Sequence, residues 1–303
     1  EQAWPGKQVK PNGSLAYPYL AGALRDIEVE SYIYDACVGN GDDNLDDFFN
    51  KPTPLPSGMT KTGVSDERIL EIANNYDAVG ITSIFSSQET VVLRCAKLIK
   101  KHFPKKLLFS GGVNARSRSA IFFAGGFDII CTSESEITIQ QIAKILQKDS
   151  ADFTSVGKIL FKNKDGKIID NSHFGDIFWN LDELPIPAWD LLPNERYWKI
   201  SRPHGGGQTI AGKKLKYASM MTSRGCPFSC SFCHIADETV NSISGAIGRF
   251  RIKSDERVKK ELHILKDNIG VKQVFIEDDS IFGMKRRAIR LLKSIVGSGL
   301  DLM

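Results

Sequence analysis

Three cysteines within eight positions constrain this chain more than any other feature. They stand in Cys226-Pro227-Phe228-Ser229-Cys230-Ser231-Phe232-Cys233, directly after an apolar run, Tyr217 to Thr222, that has the pattern of a strand. Three thiolates are one too few for a closed structural zinc site or a fully cysteine-ligated cluster. A metal group held by them keeps one corner open to another ligand. Zinc completed by the adjacent His234 is the competing reading of the same residues. A disulfide framework fits poorly, because 6 cysteines in 303 residues fall far below the density of disulfide-built domains. The remaining Cys37, Cys95 and Cys131 are scattered, and Cys95 shares a helical pattern with Val91, Leu98 and Ile99. Those three read as small buried hydrophobes.

The length leaves room for two domains, and 42% hydrophobic with 25% charged residues describes a globular chain. No apolar run reaches the roughly 18 residues of a membrane helix, and no secretory signal pattern opens the chain. A dispersed net charge of +4 gives no indication of nucleic-acid binding. A reducing, oxygen-poor cytoplasm suits the cysteines. The chain opens on Glu1 rather than methionine and stops in a new apolar segment, Leu300 to Met303. Further residues are therefore expected at both ends.

Residues 14–148 alternate short apolar runs with helical patterns. Strands are expected at Val29–Tyr34, Ala78–Ile84, Lys106–Phe109 and Asp128–Thr132. Helices are expected at Glu67–Asn75, Glu89–His102, Ser117–Ala124 and Glu136–Gln147. This alternation implies right-handed βαβ units and a parallel sheet, whose ligands sit beyond the carboxyl ends of the strands. A hairpin is expected at 155–171, followed by a proline-stiffened connector, Leu181 to Asp190. The second domain repeats the alternation: strand, cysteine loop, a helix capped by Ser254, strand Gln273–Ile276, helix Lys285–Val296. The expected division is 1–150, a linker with hairpin at 151–212, and 213–303.

On these residues the chain resembles the radical S-adenosylmethionine (SAM) superfamily, whose C-x₃-C-x-aromatic-C motif is matched with Phe232 as the aromatic. The stretches before it resemble the cobalamin-binding domain that precedes the radical SAM core in one large subfamily. They are Tyr17 to Leu24, Tyr34-Asp35-Ala36, Asp77 to Thr82, Ser110-Gly111-Gly112-Val113, Asp128 to Ile130 and the linker Leu181 to Asp190. The fold implied is α/β: a Rossmann-like parallel-sheet cobalamin-binding domain followed by the start of a partial (β/α) radical SAM barrel, of which only the first two units are visible.

The resemblance implies a 4Fe-4S cluster on Cys226, Cys230 and Cys233, with SAM chelating the fourth iron and being cleaved reductively. Phe232 would contact the adenine, and Glu277 and Asp278 would steady the SAM amino group. Cobalamin would lie against Gly111 and Gly112, with Thr82, Ser83 and Ser133 bonding its nucleotide tail and Glu134 or Glu136 a ribose or amide. The histidine that some members offer to cobalt is missing from Asp35-Ala36-Cys37-Val38-Gly39-Asn40, so cobalamin without a protein histidine is expected. The implied activity is foremost methyl transfer to an unactivated carbon of a small-molecule or peptide substrate, with ring cyclisation or rearrangement as other outcomes of the same architecture, supplied with electrons by a flavodoxin or ferredoxin. Two alternatives remain open at this point. One is a methylthiotransferase with a second cluster on Cys37, Cys95 and Cys131; the other is a non-catalytic metal- or cobalamin-binding module.

Overall fold

The computed structural model describes residues 2–4, 13–48, 51, 53, 54, 58, 60–200, 216–239 and 241–302. The chain divides into two compact units, one built on Tyr34–Ile177 and the other on Asn12–Ile33 with Phe178–Met303.

The first unit carries a five-stranded sheet: β1 (Ala78–Thr82), β2 (Leu107–Gly111), β3 (Ile129–Cys131), β4 (Ile159–Lys162) and β5 (Ile168–Asp170), in that spatial order. Strands β1, β2 and β3 run parallel, whereas β4 and β5 are antiparallel additions. The expected hairpin is thus part of the sheet. Ile159, Leu160 and Phe161 pair with Cys131, Ile130 and Ile129 and are themselves buried, so they complete β3 on its free side.

Helices Asp66–Asn74 and Glu89–His102 arise where Ile69, Ala73, Val92, Ala96 and Ile99 recur at helical spacing. Those residues pack with Leu108, Phe122, Phe123, Phe127 and Ile130 in one apolar cluster. Ser65 caps the first helix by accepting from the Arg68 amide.

Two expected elements differ. Ser117–Ala124 is two short helices, Val113–Ser117 and Ser119–Ala124, because Arg118 between them leaves helical geometry at φ −121° and ψ 30°. Val29–Tyr34 forms no strand. Ile33 is instead buried against Ala21 and Ala188 of the second unit, while Tyr34 joins the apolar cluster of the first. The apolar alternation of this segment serves two separate packings rather than one ladder.

The second unit contains β6 (Tyr217–Met220), β7 (Ser223–Arg224), β8 (Arg251–Ile252), β9 (Gln273–Ile276) and β10 (Asp301–Leu302). Strand β9 lies between β10 and β6, parallel to both, with helices Asp255–His263 and Lys285–Ser298 in the crossovers. This repeated parallel β/α alternation is the opening of a barrel. All four residues of β6 are buried. Its edge away from β9 is covered by Trp189 of the connector and Trp198 of the helix Asn194–Ile200: the indole N–H of Trp189 donates to Ser219 O at 3.1 Å, and that of Trp198 to Tyr217 O at 2.7 Å. Two alternate carbonyls of an edge strand are thereby satisfied without another strand.

Helix Ala16–Arg25 belongs to this unit and fits the connector closely. A Cβ on Gly22 would lie 2.3 Å from Ile186 O. The Ala188 amide donates to Pro18 O at 2.8 Å, and Arg25 grips both oxygens of Asp190 at 3.0 and 2.7 Å. A buried ionic group anchors the helix after β8. Lys253 Nζ lies 2.6 Å from Glu261 and 3.0 Å from the Tyr19 hydroxyl; Arg257 bonds Glu261 and the carbonyls of Asp182 and Pro185. Every charge in that group has a partner, as burial requires. Burial, only partly offset by Lys253, pushes the Tyr19 phenol above its ordinary range.

Candidate functional site

The cysteine loop leaves β6 through a tightly determined stem. Thr222 and Ser223 are fully buried and Arg224 nearly so. Ser223 and Arg224 pair with Ile252 and Arg251. Gly225 then turns with φ 72°, where a Cβ would stand 2.5 Å from the carbonyl oxygens of both Gly248 and Arg249. Glycine meets both demands at once. The Cys226 amide donates to Gly248 O at 3.1 Å, and the Cys233 amide to Cys230 O at 3.0 Å, which closes the loop before the short helix His234–Asp237.

Beyond the stem the loop opens outward. Cys230 is exposed, Cys226 and Cys233 are half-buried, and Phe232 is 91% exposed. Phe228, Phe282 and Met284 are exposed as well. Among the described residues no three His, Cys, Asp or Glu side chains are gathered at metal-ligating range. The three loop thiols lie within eight positions and none of them is buried, so a metal group can draw them together by local movement. Cys37, Cys95 and Cys131 cannot do the same. Cys37 and Cys131 are buried, Cys95 packs against the apolar core from a helix, and burial pushes the Cys131 thiol up to about 11.

The acids after β9 are not equivalent. Asp278 is fully enclosed: one oxygen accepts from the Thr222 and Ser223 amides, the other from their hydroxyls, at 2.5 to 3.1 Å. Asp279 accepts from the Gly225 amide at 3.1 Å. Glu277, in contrast, has a buried Oε1 with no hydrogen-bond partner. A buried carboxylate oxygen without a donor is costly, and it is the free acceptor at this strand end.

The strand ends of the first unit show the same division. Ser83 is fully buried and internally occupied: its hydroxyl accepts from Asn114 at 2.9 Å, its amide donates to Gly111 O, and its carbonyl accepts from Ala115. Gly112 has φ 100° and would place a Cβ 2.5 Å from Ser83 O, so it serves the close approach of two backbones. Gly111 meets only an ordinary 3.5 Å contact with Cys131. Thr82 and Glu134 are half-buried. Thr132 Oγ1 and Ser133 Oγ, at the carboxyl end of β3, are buried hydroxyls with no partner. In the sequence Thr132 stands out only by its place at the carboxyl end of an expected parallel strand, with Ser133 and Glu134. Asp35 accepts from the Cys37 amide at 2.9 Å, forming a local turn in place of a histidine-bearing one.

The donor set and these free acceptors fit the groups that the resemblance implies: three thiols on one loop for a cluster with an open corner, and unpartnered hydroxyls at a parallel-strand end for a polar nucleotide tail. No family model matches the chain. It is 31% identical to an uncharacterized methyltransferase of Pyrococcus horikoshii over 229 residues, covering 75% of this chain and 44% of that protein. It is 26% identical to the cytidylyl-2-hydroxyethylphosphonate methyltransferase of Streptomyces wedmorensis, covering 94% of this chain and 54% of that one. The chain thus spans about half the length of these relatives. Among solved structures, the cobalamin-dependent SAM radical enzyme OxsB with aqua-cobalamin and SAM bound superposes with a TM-score of 0.67 at 18% identity, over 95% of this chain and 35% of that one. The radical SAM methyltransferase TsrM of Kitasatospora setae superposes with 0.64 at 15% identity, over 96% of this chain and 49% of that one. The chain is thus similar in sequence to methyltransferases and shares its fold with cobalamin-dependent radical SAM enzymes.

Proposed function

We propose that this chain carries the cobalamin-binding domain and the first barrel units of a methyltransferase that uses SAM, a 4Fe-4S cluster and cobalamin to methylate an unactivated carbon. The carrying observation is the eight-residue loop with three thiols, braced at its stem and open at its tip, after the first strand of a parallel β/α unit. When bound, the cluster supplies the electron that cleaves the SAM sulfonium, and the corrinoid carries the methyl group. Cys226, Cys230 and Cys233 supply three thiolates. Phe232, exposed beside Cys233, offers an apolar face to the adenine, and the free Oε1 of Glu277 accepts from the SAM ammonium. In the other unit Ser133 and Thr132 would offer hydroxyls to the corrinoid tail, with Glu134 next in sequence and Thr82 at the end of β1. Ser83, Gly111 and Gly112 shape the strand ends that face it.

A small-molecule or peptide substrate, a flavodoxin or ferredoxin as electron donor and a cytoplasmic setting complete the reading. Relatives named as methyltransferases favour methyl transfer over other radical outcomes. Among the described residues no helix is long and apolar enough to cross a membrane.

The test uses anaerobically reconstituted full-length protein. Cys230→Ala is expected to abolish SAM cleavage and iron–sulfur absorption while hydroxocobalamin still binds in a form without histidine on cobalt. Retained deoxyadenosine formation in that variant would refute the assignment of the loop, and a histidine-ligated cobalt spectrum would refute the assignment of residues 35–40.

A further inference from the structure

Both acids that follow Glu277 reach the cysteine loop, Asp278 with an enclosed side chain and Asp279 from an exposed position. Asp278 accepts four hydrogen bonds from two consecutive residues: the Thr222 amide at 2.6 Å and hydroxyl at 2.5 Å, and the Ser223 amide at 3.1 Å and hydroxyl at 2.6 Å. Arg287 balances its charge at 3.5 Å while donating to the Thr222 carbonyl and hydroxyl at 2.8 and 2.6 Å. Asp279 takes the Gly225 amide, three residues further along the loop. Further still, Gly283 approaches Pro227, where an added Cβ would stand 2.7 Å from the proline ring. The segment after β9 therefore follows the stem of the cysteine loop contact by contact: 278 on 222 and 223, 279 on 225, 283 on 227. On the opposite side Gly248 holds the Cys226 amide.

We propose that Asp278 and Asp279 are positioning residues for the cysteine loop: their carboxylates fix Thr222–Gly225 to the end of β9, so that the thiols are presented from an immobile stem. This reading rests on the cluster assignment above and changes the role of Asp278. With four donors on its two oxygens and no exposure, Asp278 has no free acceptor for a SAM ammonium, whereas Glu277 has one. The two neighbouring acids thus divide the work, one toward the ligand and the other toward the loop.

Amide hydrogen exchange of the metal-free full-length protein tests the clamp. Asp278→Asn halves the acceptor capacity facing Thr222 and Ser223. Exchange at residues 222–226 is expected to rise at least tenfold, about the effect of losing a buried charged hydrogen bond. Strands β6 and β9 should be unaffected. In the anaerobically loaded variant, iron occupancy should fall and the paramagnetic resonance of the reduced cluster should broaden. The change in that resonance on adding SAM should persist.

Unchanged exchange in the loop, with normal iron content and loss of the SAM-induced change, would make Asp278 a SAM ligand and overturn the proposal. If Asp278→Asn unfolds the unit, Asp279→Asn decides, because it leaves the buried bonds of Asp278 intact. Faster exchange confined to Gly225 and Cys226 supports the clamp, and no change there overturns it. A wild-type protein that takes up no iron–sulfur cluster would remove the functional reading, yet the exchange result would still decide whether these carboxylates hold the loop.

Discussion

The stem of the cysteine loop and the strand ends of the first unit solve opposite problems. At the stem Thr222 and Ser223 are tied to Asp278, Gly225 to Asp279 and Cys226 to Gly248, while Oε1 of Glu277 stays free at the adjoining end of β9. At the carboxyl end of β3, buried hydroxyls of Thr132 and Ser133 are left without partners. The first region is rigid beneath and open at its tip, which suits side chains that must grip a metal group from solvent. The second retains hydrogen-bonding capacity in its interior, which suits a large polar ligand that supplies the missing partners. Rigidity supports the loop; unsatisfied polarity marks the strand ends.

The largest effect is expected from thiol labelling. Brief alkylation of the metal-free protein near pH 8 should modify Cys230 and, more slowly, Cys226 and Cys233, while Cys37 and Cys131 resist because both are buried. Rapid loss of the Cys131 thiol, whose ionisation burial pushes to about 11, would break the contrast between loop and core.

Gly225→Ala should cost about 3 kcal/mol in denaturant unfolding of the second unit, since the new Cβ meets both positive φ and two carbonyls at 2.5 Å. A cost below about 1 kcal/mol would mean that the stem is pliable.

A matched pair sharpens the contrast at the strand ends. Ser83→Ala removes a bonded hydroxyl and should destabilise the first unit by about 1 kcal/mol. Ser133→Ala removes an unpartnered one and should leave the ligand-free protein unchanged or more stable, while weakening hydroxocobalamin binding several-fold. Equal destabilisation by both would contradict the distinction.

The smallest effect concerns pH. The Arg25 guanidinium, donating to both oxygens of Asp190, holds that carboxyl below its ordinary range. A depressed value means stability present above the unfolded carboxylate range and lost as pH falls through the folded one. Each side chain of the pair is 52% exposed, so the loss should stay under about 1 kcal/mol. Asp190→Asn should flatten that acidic limb.

Much of this architecture was legible beforehand. The helix Glu89–His102 and the strand Gln273–Ile276 follow from apolar spacing alone, and Ser254 caps its helix as its position implied. The cysteine spacing carried the candidate metal site. Three things were not legible, each for a physical reason. An extended apolar alternation at Val29–Tyr34 looks the same whether it pairs or merely buries Ile33. A carboxylate at a strand end gives no sign of whether it faces ligand or backbone, so Asp278 and Glu277 were indistinguishable until their donors were known. Trp189 looked like part of a linker, although its N–H closes the edge of β6.

Iron and acid-labile sulfide, counted per chain after oxygen-free reconstitution, test the central claim most directly. The account predicts about four of each on the wild-type loop, falling to near zero in Cys230→Ala. A single zinc ion held by the same cysteines, or eight irons shared with Cys37, Cys95 and Cys131, would contradict it.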